Sequence, residues 1–316
     1  MAWARTSPPL SARGVAARTS VLVVTFQEGG SFGGGRVQSR RSGAGRGAAI
    51  GGGVGGLGLL VILAISLLTG NDPTALLGGG GGGEPGTDST IGECTAEQAN
   101  TDRACRLSAT LDSLDTYWSS TLADADANIP EAVEFTSAVS TACGQASSAS
   151  GPFYCPGDQT IYLDLGFFDL LTSRFGAQGG PLAEMYVYAH EYGHHIQHVT
   201  GVFDSADRGG TGAESDSVRV ELQADCYAGM WAGNAATTKD PDTGVTYLKP
   251  ITAEELAQAI DAAEAVGDDH IQQQSGSGVN PDSWTHGSSE QRQRWFTTGY
   301  EKRDLAACDT FAARDL

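Results

Sequence analysis

Apolar positions recur with regular spacing only in the later two thirds of the chain. Within residues 94–125, four large apolar residues follow the 4-3-4 spacing of an amphipathic helix: Leu107, Leu111, Leu114 and Trp118. Residues 133–139 alternate between apolar and polar positions, and residues 153–163 also read as a strand. The pattern therefore predicts an α+β fold that is mostly helical and contains a small sheet.

A helix is predicted from Pro181 to the residue before Gly201, because proline is tolerated in a first turn and glycine often ends a helix. Its apolar stripe has 4-3-4-3 spacing: Met185, Ala189, Tyr192, Ile196 and Val199. His190 and His194 lie nearly opposite this stripe, where they would face a cleft. Gly193 costs about 1 kcal/mol inside a helix, which predicts a close approach to its backbone.

Four further helices follow from periodicity and capping signals, at residues 165–175, 217–236, 253–266 and 288–301. The third of these begins with a capping box formed by Thr252 and Glu255. Residues 267–282 lack a periodic pattern and are expected to form a loop.

Residues 48–69 form an uncharged run that is long enough to cross a hydrocarbon core of about 30 Å as a helix. Positive charge before the run predicts a cytoplasmic N-terminus, and it comes from Arg36, Arg40, Arg41 and Arg46. A cleaved signal peptide is the alternative, but the run is long and no Ala-x-Ala site follows it. A single uncleaved span is therefore favoured.

This span divides the chain into four expected parts. Residues 1–47 would be a disordered Gly/Arg-rich cytoplasmic tail, in which a start at Val24 would leave residues 1–23 untranslated. Residues 48–69 would span the membrane, and residues 70–90 would be a flexible Gly-rich linker. Residues 91–316 would form the folded domain outside the cytoplasm.

Charge and cysteine usage agree with an exported domain. The net charge is −19, and residues 1–69 carry seven arginines and one glutamate, which leaves −25 for the remainder. Such a domain will not bind nucleic acid through phosphates. All six cysteines follow the uncharged run, and no CxxC pair suggests zinc ligation, so disulfides in an oxidising compartment are predicted. Proximity in sequence favours the pairs Cys94–Cys105, Cys143–Cys155 and Cys226–Cys308.

His190, Glu191 and His194 form an HExxH pattern, in which two histidines one helical turn apart bind zinc and the glutamate acts as general base. A catalytic zinc needs a third protein ligand, and Glu221 on the next long helix is the candidate. Asp225, one turn further on, would accept the outer N–H of a ligand histidine. The alternative is two solvated acids, which the apolar neighbours of Asp225 make a poor interpretation.

An amide hydrolase also needs a donor for the developing oxyanion. His286 is the first candidate, because it stands beside Gly287 and just before a helix that starts at Ser288. A surface-loop histidine is the alternative for this residue, and His270 and Tyr192 are the other candidate donors. His195 and His198 are expected at the surface or behind the ligands.

The folded part resembles the bacterial "putative neutral zinc metallopeptidase" family. The resemblance rests on residues 143–144, 151–156, 162–164, 190–197, 221–226 and 285–289. HExxH followed by ExxxD is also similar to the thermolysin-like gluzincins. That similarity implies a zincin-like domain with His190, His194 and Glu221 as zinc ligands and Glu191 as base.

Together, these features predict a membrane-anchored extracytoplasmic zinc metallopeptidase that acts on peptides or proteins. Two alternatives stay open, a zinc-binding scaffold without activity and a zinc hydrolase of non-peptide amides in the cell envelope. Glu191 argues against the scaffold, because a site without catalysis has no use for a base between its ligands. The sequence leaves substrate and oligomeric state open.

Overall fold

Helices dominate the computed structural model, which describes residues 25–41, 89–122, 129–276 and 278–316. The helices are α1 (Ala96–Thr101), α2 (Arg103–Thr121), α3 (Phe167–Ser173), α4 (Pro181–Val199), α5 (Val202–Ser205), α6 (Asp216–Ala235), α7 (Ala253–Ala265), α8 (Asp268–Ser275) and α9 (Ser289–Lys302). The strands are β1 (Ser31–Phe32), β2 (Gln38–Arg41), β3 (Ser89–Thr90), β4 (Cys94–Thr95), β5 (Glu131–Thr136), β6 (Ala138–Thr141), β7 (Gly144–Ser147), β8 (Phe153–Cys155) and β9 (Thr160–Leu163). This mixture of helices with a small sheet agrees with the predicted α+β class.

Five of these strands form a mixed sheet in the order β3-β2-β5-β9-β8. The three central strands run parallel, and β3 and β8 run antiparallel to their neighbours. The strand β8 lies at one end of the sheet and contacts α4. A small cluster of buried side chains lies apart from the main core: Val133, Phe135, Val139, Cys155 and Tyr162.

The helix α4 is buried on all sides, not on one stripe as its sequence predicts. Every residue from Leu182 to Gln197 is buried. The reason is that α2, α6, α7 and β8 all pack against this helix, so a tightly packed neighbour covers the histidine face. Periodicity locates the helix correctly but underestimates how many neighbours surround it.

Residues 25–41 belong to the folded domain, which corrects the expected disordered tail of residues 1–47. Phe26, Phe32 and Val37 are buried in the main core. The side-chain oxygen of Asn100 accepts the backbone N–H groups of Thr25 and Phe26 at 2.9 Å each. Three isolated apolar residues among glycines show no helical or strand period, so their burial depends on long-range packing that periodicity cannot detect.

The predicted membrane span at residues 48–69 lies outside the described residues, as do residues 1–23 and nearly all of the predicted linker. Within the described ranges, no helix is both long enough and apolar enough to cross a membrane.

Three disulfides connect the cysteines as sequence proximity predicts: Cys94–Cys105, Cys143–Cys155 and Cys226–Cys308. The first two close short loops, whereas the third ties the C-terminal segment to α6. One predicted loop is wrong in part, because residues of the 267–282 stretch form α8.

Candidate active site

The helices α4 and α6 approach closely where Gly193 faces Ala224. A Cβ atom on residue 193 would lie 3.1 Å from both the Cα and the carbonyl oxygen of Ala224, closer than real Cβ atoms normally come. This is the close backbone approach that the glycine predicts. It lets His190 and His194 on α4 face Glu221 on α6, with one ligand atom of each within 4.8 Å of the others.

The orientation of His190 is set by Asp225, as the i+4 spacing on α6 predicts. His190 Nδ1 lies 2.8 Å from Asp225 Oδ1, so Nδ1–H donates and Nε2 faces Glu221 Oε2 at 3.1 Å. Asp225 also accepts from Tyr186 Oη at 2.6 Å and from Arg292 Nε and Nη2 at 2.8 and 2.9 Å. Both oxygens of the buried carboxylate therefore accept hydrogen bonds, and Arg292 of α9 balances its charge.

The orientation of His194 is set by Gln197. Gln197 Nε2 donates to the carbonyl oxygen of Val220 at 2.7 Å and to Gln223 Oε1 at 3.1 Å. Its Oε1 therefore faces His194 Nδ1 at 2.9 Å and can only accept. His194 Nδ1–H donates, and the lone pair on Nε2 is directed at Glu221 Oε1, 3.6 Å away.

Three potential ligand atoms thus converge in a buried space, where a metal cation or a proton on His190 Nε2 can lie between them. Burial lowers the pKa of His190, but the charge and hydrogen bond of Asp225 and the hydrogen bond of Glu221 outweigh it and raise the pKa to about 10. A proton on His190 Nε2 can neutralise the charge of the Glu221 carboxylate, 3.1 Å away. Burial lowers the pKa of His194 to about 4, so the second nitrogen stays an acceptor. Two imidazole nitrogens and a carboxylate are a donor set that suits zinc.

Glu191 lies beside this cluster with its side chain buried. Burial raises its pKa to about 7, while the charge of His190 and the backbone N–H of Tyr154 on β8 oppose that rise. A carboxyl group with a pKa near neutrality can both accept and return a proton at physiological pH. The site therefore contains a suitable base next to its potential metal ligands.

His286 is partly buried near the cluster but does not belong to it. Its Nδ1 lies 3.3 Å from Asp268 Oδ1, and Asp268 Oδ2 accepts the backbone N–H groups of Thr285, His286 and Gly287 at 2.7, 2.7 and 3.1 Å. Burial lowers the pKa of His286, but Asp268 and Glu221 raise it by a larger amount, so the pKa lies above its usual value. Sequence analysis missed Asp268 because it considered only His270 in this predicted loop, and a single acid in a loop shows no spacing pattern.

The two other candidate donors lie elsewhere. His270 Nε2 lies 2.9 Å from the carbonyl oxygen of Phe175, outside the cluster. Tyr192 Oη donates to Asp115 Oδ1 at 3.0 Å, on the side of α4 that faces α2. Neither geometry points toward Glu191, which leaves His286 as the candidate donor.

His195 and His198 both contact Tyr154 of β8. Tyr154 Oη lies 3.0 Å from His195 Nδ1 and 2.8 Å from His198 Nδ1. His195 is completely buried, so its expected position behind the ligands fits and a surface position does not. The ring of Phe203 stacks on His198 at a centroid distance of 5.9 Å and lies 6.2 Å from the ring of His194.

The chain is similar in sequence to several known proteins. The chain is 50% identical over 233 residues to an uncharacterized protein of Mycobacterium tuberculosis (strain ATCC 25618 / H37Rv). The matched region covers 73% of this chain and 78% of that protein. It is 36% identical over 290 residues to an uncharacterized protein of Escherichia coli (strain K12), which covers 87% of this chain and 95% of that protein. No solved structure is a significant match to the chain. A family model described as "putative neutral zinc metallopeptidase" matches residues 27–311, and the chain therefore belongs to that family.

Proposed function

We propose that this protein is a zinc-dependent peptidase in which Glu191 is the general base. The observation that carries the proposal is the convergence of His190 Nε2, His194 Nε2 and a Glu221 oxygen within 4.8 Å, beside a buried carboxyl group whose pKa is near 7. Zinc held there would supply Lewis acidity, which lowers the pKa of a water molecule to about 7 and polarises the scissile carbonyl.

The side chains around the cluster have distinct roles in this proposal. Glu191 takes the proton of the attacking water and returns it to the leaving amine. His286 donates to the developing oxyanion, and Asp268 holds its ring in position. Asp225 and Gln197 keep His190 and His194 in the tautomers that leave Nε2 free. These contacts and the mixed sheet beside α4 support a zincin-like fold.

The position of β8 supports a peptide substrate over a non-peptide amide. This strand forms the end of the described sheet and contacts α4, and the backbone N–H of Tyr154 within it reaches Glu191. An extended peptide can add to such an edge by main-chain hydrogen bonds, which a small amide cannot use. We therefore favour hydrolysis of peptides over hydrolysis of other envelope amides or a silent scaffold.

We also propose that the domain works outside the cytoplasm. Three disulfides in one small domain support this, since such bonds persist in oxidising compartments. Attachment to the bilayer through residues 48–69 stays a prediction, and the parallel pairing of β2 with β5 argues against a single crossing there.

The decisive experiment is digestion of a proteome-derived peptide library by the purified protein, with metal content measured in parallel. We expect cleavage that a chelator abolishes and zinc restores. Glu191→Gln should keep zinc but lower the cleavage rate by about 10²-fold or more, because the base alone is lost. Glu301→Gln, at an exposed position on α9, is the matched control and should behave like the wild type. Normal turnover in a zinc-loaded Glu191→Gln protein would exclude this mechanism.

A further inference from the structure

An aromatic ring lies beside the proposed metal ligands, and an arginine side chain packs on it. The short helix α5 follows α4 directly and buries Phe203 against the rings of His194 and His198. The guanidinium of Arg208 lies over the ring of Phe203, 4.3 Å from its centroid. The ring holds the charged group in place from one face.

Arg208 differs from the two arginines that pack near the same helices. Arg292 is bidentate on Asp225, and Arg219 donates to the carbonyl oxygens of Thr310 and Ala313. Within the part of the chain that the structure describes, the guanidinium of Arg208 has no ion pair, although Asp204 and Asp207 are close in sequence. A guanidinium that stacks on a ring keeps its N–H groups free at the edges, where they can bind a carboxylate bidentately.

The guanidinium is within reach of a bound peptide. The guanidinium carbon of Arg208 lies 4.3 Å from the centroid of the Phe203 ring, and that centroid lies 6.2 Å from the centroid of the His194 ring. The guanidinium carbon is therefore at most about 10.5 Å from the centroid of the His194 ring. An extended chain rises about 3.3 Å per residue, so this distance corresponds to about three residues.

We propose that Arg208 binds a carboxylate of the substrate within three residues of the scissile bond. This inference rests on the proposed peptidase function and adds a preference to it. The carboxylate can come from an Asp or Glu side chain or from the substrate's C-terminus. A polyanion is a poor candidate, because a chain of net charge −19 repels it at long range.

The experiment compares kcat/KM for four sets of fluorogenic peptides with the same scissile bond. One set carries Asp or Glu at single positions on either side of that bond, a second carries Asn or Gln there, and a third carries Lys. The fourth is the neutral set with free or amidated C-termini at increasing distance from the bond. The wild type should prefer the acidic or the free-acid peptides by about tenfold, because only these peptides offer Arg208 a charged hydrogen-bond acceptor.

The variants Arg208→Ala and Arg208→Glu separate this preference from folding. The first should lower kcat/KM for the acidic or free-acid peptides to the value that the same variant shows for the neutral peptides, and the second should favour the Lys peptides. Arg174→Ala, which removes an exposed arginine at the end of α3, is the matched control for net charge and should keep the preference. Loss of preference only for side-chain acids assigns that source, and loss only for free C-termini assigns the other.

The outcomes distinguish this inference from the proposed function. If no peptide is cleaved by the zinc-loaded wild type, the peptidase proposal itself fails. If peptides are cleaved without regard to carboxylates, or if Arg208→Ala keeps the preference, the role of Arg208 is wrong and the peptidase proposal stands.

Discussion

At the scale of single residues, hydrogen bonds to the far side of each histidine determine what the site can bind. Asp225 and Gln197 each bind an Nδ1 atom, and this directs both Nε2 atoms at Glu221. Sequence spacing predicts which residues meet, because HExxH and ExxxD each place two side chains one turn apart on a helix. It gives no sign of Arg292, Asp268 or Gln197, since single residues that act through long-range contacts leave no spacing pattern.

The role of His286 can be tested at this scale. His286→Ala should lower the rate of peptide hydrolysis by roughly 10²–10³-fold and leave zinc content intact, because an oxyanion donor is lost and no ligand is. Asp268→Asn should have a smaller effect in the same direction, since the ring stays but is held less firmly. Metal analysis and kcat measured on the same samples check both. If His286→Ala loses its zinc, the residue is a ligand, and the role of Glu221 must be revised.

At the scale of elements, the N-terminal segment, α2 and α4 are joined through one carboxylate. Asp115 of α2 pairs with Arg36 at 2.7 and 3.1 Å and accepts from Tyr192 of α4 at 3.0 Å. The periodicity of α2 and α4 was sufficient to predict both helices. The partner of α2 in the N-terminal segment was missed, because glycine-rich sequence carries no periodic signal even where it folds.

Asp112, one turn before Asp115, makes this contact sensitive to pH. Burial and the charge of Asp115 raise its pKa from 3.8 to about 7, although Arg36 opposes the rise. The folded protein therefore holds this proton more tightly than the unfolded chain, so the contribution of Asp112 to stability is greatest below pH 3.8 and decreases as the pH rises to about 7. Asp112→Asn should remove that loss.

Thermal unfolding of both proteins at pH 5 and pH 8 tests this expectation. The variant should be stabilised more at pH 8 than at pH 5, by roughly 3 kcal/mol at most. Glu301→Gln controls for the change in net charge. An equal stabilisation at the two pH values would show that Asp112 is ionised in the folded protein throughout this range.

At the scale of the whole molecule, two described stretches that are far apart in the sequence fold together. Strand β2 pairs with β5 in parallel, so residues 25–41 and 89–316 share one sheet and one core. Both stretches must then lie on the same side of any membrane. A single crossing by residues 48–69 would separate them, so the predicted topology with a cytoplasmic N-terminus does not fit this fold.

Cross-linking in intact cells can test this arrangement. Ser39 and Glu134 are register partners on β2 and β5, so a Ser39→Cys/Glu134→Cys protein should form an additional disulfide in the compartment where the native three form. A Ser39→Cys/Glu131→Cys protein, whose second cysteine is three residues out of register, should not form it. Absence of the additional bond from a folded, active double variant would indicate that the stretches are apart and would restore the single crossing.

The pairing of β2 with β5 also has a consequence for how the protein folds. Gln38 meets Val133, so the pair closes a loop of 95 residues, whereas β5 and β9 meet over 29, as in the pair of Val133 with Tyr162. Closing the longer loop costs more chain entropy and slows the search for the contact. We therefore expect the helices and the β5-β9-β8 part of the sheet to form first and the N-terminal strand to dock last. Until it docks, β5 exposes an unpaired edge, and this is the stage at which the chain is most prone to aggregate.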